Sequence, residues 1–400
     1  MGEDLYGLLV RMSLGDDNLP AQATRHAIAA ISYQHIGQDD AALSHKTNSI
    51  SALQKSVDLL SSGKLDTKEA FQAMAASMLL NIFENLYSAP TVNLIGSAIA
   101  CAIFLCGSKR LAGSIHKPHA TYDGDCAMIL DWIFYHDTMY KFSSRHWYAK
   151  RTEPTPDEST VVSKAAFSPM RQIILPATGC SLELLDLLYQ TISAVYDRTD
   201  PRHLDPAHVA TLRKLDYRIK NITQVTRVQP ISSDSSLGSS LDSSSDHSSP
   251  SSWSSSPTEG SPKTSESMAH PSARFYSYAV NIYLLRVAQG LPSSLPAVSS
   301  LIDSAFETLS SLPFCERPWP IFVVALEART EDERWVVLDK IDAAIRAKPL
   351  GNMAVAREMV TRAWVQKDFA SESRGYGEGE DMLAVYNAAV RGFGPLPSFA

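Results

Sequence analysis

The hydrophobic residues of this chain recur at intervals of three and four positions, which is the spacing of one face of an α-helix. The segment 181–196 is an example, because Leu184, Leu188, Ile192 and Val195 step by four, four and three positions. The alternation of apolar and polar residues that marks a half-buried β-strand is rare. The pattern therefore predicts an all-α fold, a multi-helix array of antiparallel helices.

Capping signals favour the same helices. Thr330 and Glu333 are spaced as a capping box ahead of an apolar stripe that begins at Trp335, and Asp66 and Glu69 repeat this arrangement. The predicted helices cover approximately 21–36, 41–61, 67–87, 92–106, 125–142, 181–196, 205–226, 272–289, 294–311, 317–328, 331–346 and 352–368, with a further short helix near 380–391.

One segment breaks the helical pattern. From Ile231 to Ser267, about half of the residues are serine and apolar residues almost vanish. A segment of this kind cannot bury enough apolar surface to offset the entropy of an ordered chain. We therefore predict a disordered serine-rich insert over residues 231–270.

Helical patterns flank this insert on both sides. We predict that residues 20–230 and 271–392 form one domain, preceded by an N-terminal segment, residues 1–19. The region after the insert is too short to cover its tryptophans, Trp335 among them, without help from the first half. Two separate domains are the alternative.

The insert contains three serines that each precede a proline: Ser249, Ser256 and Ser261. Exposed Ser-Pro pairs in disordered chain suit proline-directed kinases, and each phosphate would add nearly two negative charges. These serines are our candidate phosphorylation sites. A flexible linker without modification is the alternative.

The composition narrows the class of protein. Hydrophobic residues make up 44% of the chain, and the formal net charge of −7 does not favour binding to DNA phosphates or an anionic membrane through a basic surface. The five cysteines include no Cys-x-x-Cys pair, which favours reduced thiols in the nucleus or cytosol. The most apolar run, 92–106, is shorter than the roughly 20 residues of a spanning helix, so we expect a buried helix.

Two residue pairs have the types that could bind a metal. Asp39 and Asp40 resemble the start of an acidic metal motif, but no third carboxylate follows at the required position, so we expect them to cap a helix. Cys101 and Cys106 lie on one apolar helix but on poorly matched faces, so we expect buried thiols. The sequence predicts no metal ligand and no cofactor.

Histidines provide the remaining candidate chemistry. His116 and His119 flank a proline, and no further ligand with zinc-like spacing lies nearby, so we expect a surface loop. His136, Asp137 and His146 could act as acids or bases if they converged in a pocket. None of the common hydrolase, protease or nucleotide-binding motifs occurs in the chain, so a non-enzyme is the main interpretation.

A series of segments, taken in their order and spacing, resembles a known family. The segments are Ala23–Ala30, Ala41–Lys46, Ile50–Leu53, Ile129–Asp137, Phe142–Trp147, Gly179–Leu188 and Arg317–Phe322, followed by Glu327–Ala328, Glu333–Arg334, Gly351–Asn352 and Trp364. They run from about residue 20 to 370 and are similar to the successive signatures of the fungal-specific transcription factor domain.

The resemblance implies a helical regulatory domain that follows a zinc binuclear cluster in fungal gene regulators. Such domains are expected to modulate activity in response to small-molecule or protein signals, and the family has no catalytic residues to carry over. The implied partners are proteins of the transcription machinery or a second copy of the chain, with a small-molecule effector as a further candidate. The implied location is the nucleus, with the cytoplasm as the alternative.

The sequence departs from the family pattern in one respect. A zinc binuclear cluster needs six cysteines in two halves that contain Cys-x-x-Cys, and this chain has no such pair. Either the cluster belongs to a segment outside this chain or the domain acts alone, and in both cases we expect no sequence-specific contact with DNA. We predict a non-catalytic regulator of transcription by RNA polymerase II; a helical interaction scaffold is the alternative.

Overall fold

The computed structural model describes residues 3–61, 66–87, 94–115, 124–148, 171–176, 178–226, 270–347, 351–373, 381–392 and 397–399. Helices dominate these residues, so the predicted all-α fold is confirmed. The helices are α1 (Glu3–Leu14), α2 (Leu19–His35), α3 (Asp39–Ser61), α4 (Thr67–Tyr87), α5 (Leu94–Ile115), α6 (Gly124–Trp147), α7 (Leu182–Ser193), α8 (Pro206–Lys220), α9 (Pro271–Tyr283), α10 (Pro296–Ser311), α11 (Pro318–Ala325), α12 (Glu331–Ala347), α13 (Gly351–Ser373) and α14 (Met382–Arg391).

The two predicted capping boxes form. The backbone amide of Glu69 donates to the Asp66 carboxylate over 2.7 Å, and the Asp66 amide donates to the Glu69 carboxylate over 3.0 Å. At the start of α12, the Glu333 amide donates to the hydroxyl of Thr330, and the Thr330 amide donates back to the Glu333 carboxylate, both over 3.2 Å. Each box satisfies amides that a helix start leaves without a partner.

The N-terminal segment 1–19 contains a helix that the sequence analysis did not assign. Helix α1 buries Leu5, Leu8 and Leu9, which are at most 2% exposed, against the main core. The spacing of these leucines fits one helical face, but the stripe is short and has no capping signal ahead of it. The buried leucines make α1 a part of the folded core.

The predicted helix 205–226 is wrong in its last turn. Helix α8 ends at Lys220, and the chain then extends so that the Val225 amide donates to Gln172 O over 2.9 Å. The Ile174 amide donates to Val225 O over the same distance, which makes an isolated parallel bridge. These backbone bonds to a distant segment compete with a further helical turn.

Several other predicted helices also differ from the structure towards their C-terminal ends. Helix α5 continues past 106 to Ile115, and its polar end is held because Lys109 forms an ion pair with a buried carboxylate of α6 over 2.8 Å. Helix α6 continues past 142 to Trp147. The predicted helix 272–289 changes at Leu284–Ala288 into a π-helical turn, a form that occurs mostly as a single wide turn within a helix.

Helices from both sides of the serine-rich segment contribute to one hydrophobic core. Phe142 of α6 packs edge-on against Trp319 of α11, with ring centroids 5.7 Å apart, and against Tyr386 of α14 at 6.2 Å. The predicted insert lies outside the described residues except for His270, which caps α9. Among the described helices, none combines the length and the hydrophobicity that a membrane crossing requires.

The expectation that Trp335 lies in the core is wrong. Its side chain is 69% exposed, whereas Val337, Ile341 and Ala344 of the same helix are buried. Two residues correspond to a rotation of about 200° around an α-helix, so a tryptophan two positions before Val337 faces away from the core. The buried stripe of α12 therefore begins at Val337, two residues later than the sequence pattern indicated.

Candidate functional site

The acid–base candidates of α6 do not converge on a common pocket. The carboxylate of Asp137 is buried and pairs with Lys109, whose Nζ lies 2.8 Å from Oδ1. His136 is buried beside the rings of Trp132 and Tyr135, and burial lowers its pKa to about 3, with a smaller contribution from the Arg317 charge. These two neighbours therefore face different surroundings and share no reactive centre.

His146 is held by hydrogen bonds inside the core. Its Nδ1 lies 2.9 Å from Asn387 Oδ1, and its Nε2 lies 2.8 Å from the Tyr283 hydroxyl. A neutral ring that donates from Nδ1 and accepts at Nε2 satisfies both bonds. Burial lowers the pKa of His146 to about 3, which keeps this neutral form at physiological pH. The geometry gives His146 a structural role that joins α6, α9 and α14.

The candidate metal ligands also take part in contacts that stabilise the fold. Asp39 and Asp40 occupy the first turn of α3, and Gln34 Nε2 donates to Asp39 Oδ1 over 2.9 Å. The Cys101 thiol lies 3.0 Å from Asn85 Oδ1, and burial raises its pKa, so it stays protonated. Within the described ranges there is no group of three or more residues that could hold a metal ion.

Several candidate residues fall in parts of the chain that the structure does not describe. These are His116, His119, Ser249, Ser256 and Ser261. The surface-loop interpretation of the two histidines and the phosphorylation of the three serines stay predictions.

A groove between α8, α9 and α10 is the candidate site. Its volume is about 510 Å³, which falls within the range of small-molecule pockets. Apolar side chains from different elements line it, namely Ile219 of α8, Ile222 after it, Leu285 of the π-helical turn and Leu301 of α10. The groove is open to solvent on one side, so a ligand can enter without a movement of the backbone.

One polar side chain in the groove lacks a partner. Asn281 of α9 is 6% exposed and lines the groove. Its carboxamide oxygen is buried and accepts no hydrogen bond from the described part of the chain. A buried acceptor without a donor costs roughly 1–3 kcal/mol, a penalty that the folded protein carries.

Two positively charged side chains line the groove. Arg274, on α9, is exposed and forms no ion pair with any residue in the described ranges. Lys220, at the end of α8, pairs with Asp216 one turn earlier over 2.8 Å. Arg274 therefore supplies a free positive charge beside the apolar lining.

Gln224 fixes one wall of the groove. Its side-chain oxygen accepts from the Ser181 amide over 2.8 Å, and its Nε2 donates to Ala273 O over 2.9 Å and to the Ser277 hydroxyl over 2.8 Å. This buried carboxamide uses both its donor and its acceptor groups, and it ties the chain after α8 to the first turn of α9. The wall is therefore preformed.

The π-helical turn forms the floor of the groove. Leu285 points into the groove, while its neighbour Arg286 points into the core and binds Glu327. The wide turn thus divides adjacent residues between the groove lining and a buried ion pair. Single π-helical turns of this kind are frequent at functional sites.

Sequence reasoning did not find this groove. Tyr278 and Leu285 lie within the predicted helix 272–289, and no motif marks Asn281 or Arg274. A polar asparagine between Val280 and Ile282 was the available signal. That signal has no meaning until the neighbouring helices are known.

Comparison with known proteins identifies the family. Residues 6–383 match the family described as Fungal specific transcription factor domain. The chain is also similar to the protein named Transcription factor iacI from Pestalotiopsis fici, with 26% identity over 369 residues, which cover 92% of this chain and 82% of that protein. No solved structure matches the chain at a significant level. The match extends across both halves that share the core, and the chain belongs to the fungal specific transcription factor domain family.

Proposed function

We propose that this chain is the non-catalytic regulatory domain of a nuclear protein that controls transcription by RNA polymerase II. Family membership and the similarity to a protein named as a transcription factor support the general role. The main support for the proposal is that the family match spans the helices that together form one continuous core. Helices from both sides of the serine-rich segment pack together, so a signal at one surface can act on the whole domain.

The surroundings of the titratable groups support the non-catalytic part of the proposal. Asp137 and His146 are both used in contacts that join helices. A general base must reach a proton on a bound substrate, and neither group faces the groove. Both side chains therefore serve to hold helices together.

Effectors and partners would regulate the domain by binding to the groove and to helical surfaces. The groove suits a small-molecule effector. The proposed macromolecular partners are proteins of the transcription machinery or a second copy of the chain. The net charge of −7 does not favour direct contact with DNA phosphates. We therefore assign no sequence-specific DNA contact to these residues.

A tethering experiment tests the regulatory role. The full chain is fused to a heterologous DNA-binding domain in a fungal host that carries a reporter gene with the matching operator. We expect reporter transcription to differ from that driven by the DNA-binding domain alone. Unchanged transcription, with folded fusion protein present in the nucleus, would contradict the proposal.

The matched control is a variant with a disrupted core, Phe142→Ala. Phe142 lies in the half before the serine-rich segment, is completely buried, and contacts aromatic rings of the half after it. Its truncation should remove the folded domain and with it the effect on the reporter. A separate gel-shift assay with the purified chain checks the DNA prediction, and a salt-resistant, sequence-dependent shift would refute it.

A further inference from the structure

The groove between α8, α9 and α10 combines two features that select a type of ligand. Its apolar lining, Ile219, Ile222, Leu285 and Leu301, suits a hydrocarbon or aromatic body. Arg274 offers a positive charge that no described carboxylate neutralises. Each feature suits a different part of one ligand.

The charge on the groove is positive although the whole chain is acidic. The formal net charge is −7, yet the charged residues that line the groove are Lys220 and Arg274. Asp216 pairs with Lys220, whereas Arg274 forms no ion pair within the described ranges and can attract an anion. Arg274 would attract an acidic ligand to this groove although the protein as a whole is negatively charged.

We infer that this groove is the binding site of a small amphipathic organic acid that has an apolar body and a carboxylate or similar anion. The apolar body lies between α8 and α10, and the anion faces Arg274. This inference rests on the proposed function for its regulatory meaning. The binding itself is a property of the purified protein.

The walls of the groove are built to keep their shape without a ligand. Gln224 joins the segment after α8 to α9, and the Arg286–Glu327 ion pair anchors the π-helical turn from the other side. A preformed site loses little conformational entropy on binding. A small molecule can therefore bind here without a large induced movement.

The test uses 8-anilinonaphthalene-1-sulfonate as the probe, because it has aromatic rings and a sulfonate anion. The purified full chain should bind it at one saturable site with increased fluorescence. Arg274→Glu should weaken binding about tenfold, because the reversed charge turns an attraction into a repulsion. The matched control is Arg213→Glu on α8, an exposed arginine outside the groove, which should leave the affinity unchanged.

A second pair of variants tests the location independently of charge. Ser300→Trp places a large ring in the groove and should abolish binding, whereas Ser310→Trp on the same helix lies outside the groove and should not. Circular dichroism of every variant verifies that it is folded.

The outcomes separate this inference from the proposed function. Binding that persists in both Arg274→Glu and Ser300→Trp would overturn the site, even if the tethered chain still changes reporter transcription. Loss of binding in those variants, with both controls intact, supports the site even if the reporter does not respond. Decanoate should displace the probe more strongly than decanol at equal concentration, and equal displacement would overturn the requirement for an anion.

Discussion

The Nε atom of Arg286 lies 2.9 Å from both carboxylate oxygens of Glu327, and both side chains are only 2% exposed. The same guanidinium donates from Nη1 to Leu291 O over 2.7 Å. The pair joins the π-helical turn to the end of α11. Because both charges are buried, removal of one leaves the other without compensation in a medium of low polarity.

Glu327→Ala should therefore lower the free energy of unfolding by about 3–5 kcal/mol. The matched control is Glu358→Ala, which breaks the exposed ion pair with Arg362 and should cost about 0.5 kcal/mol or less. Urea denaturation at pH 7 measures both. Equal losses would show that the buried pair contributes no more than a surface pair.

Acid should destabilise the fold through His146. Burial holds its pKa at about 3, whereas an unfolded histidine titrates near 6.5, so between these values only the unfolded chain takes up the proton. Stability is therefore complete above pH 6.5 and is lost as pH falls, by about 1.4 kcal/mol per pH unit for this proton. His146→Gln should reduce that slope, and His35→Gln, at an exposed position, should not.

The buried carboxyl group of Asp131 should make the fold less stable as the pH rises, which is the opposite of the effect of His146. Burial raises its pKa to about 7, against the weaker effect of Arg171, so the folded protein keeps a proton that the unfolded chain releases near pH 3.8. Its contribution is present below pH 3.8 and is lost as pH rises towards 7. Asp131→Asn should raise stability at pH 7 by about 2–4 kcal/mol and have little effect at pH 4.

The control for this variant is Asp137→Asn on the same helix. It removes the charge partner of Lys109 and should lower stability at pH 7. Denaturation curves from pH 4 to 8 distinguish the two aspartates. A stabilising Asp137→Asn, or an Asp131→Asn effect that does not change with pH, would contradict the assignment.

Helix α1 should contribute to global stability. Leu8 is completely buried, so Leu8→Ala should cost about 2–5 kcal/mol through lost burial and a cavity. Leu14, in the same helix, is 68% exposed, and Leu14→Ala should cost about 0.5 kcal/mol or less. If both leave the midpoint of thermal unfolding unchanged, α1 is not part of the cooperative core.

The two tryptophans of the closing region should respond differently to substitution by phenylalanine. The indole Nε1 of Trp364 donates to Ala325 O over 2.8 Å in the buried contact between α13 and α11. Trp364→Phe leaves that carbonyl without its donor and should cost about 1–3 kcal/mol. Trp335→Phe, at a position 69% exposed, should change the stability by about 0.5 kcal/mol or less.

Much of the fold could be predicted because its signals are local. The apolar stripe of α7 and the capping boxes at Asp66 and Thr330 depend on residues within one or two helical turns of each other. The family resemblance also followed from the order of short segments along the chain. These signals identify helices and their starts without any knowledge of how the helices pack.

The candidate site could not be predicted because its residues meet only after packing. His146 bonds to Tyr283 and Asn387, which are 137 and 241 positions away in the sequence. The groove brings Asn281 together with residues of α8 and α10, and no spacing in the sequence encodes that contact. The exposed Trp335 shows the same limit, because hydrophobicity alone does not say on which side of a helix the core lies.

The bonds that Gln224 makes to Ser181 and to the start of α9 also affect how the chain can change in evolution. They join residues just before position 227 directly to residues just after position 269. A change in the length of the sequence between these positions leaves the atoms of these bonds in place. Relatives can therefore differ in that part of the sequence, and gain or lose sites that other enzymes recognise, while the contacts made by Gln224 stay the same.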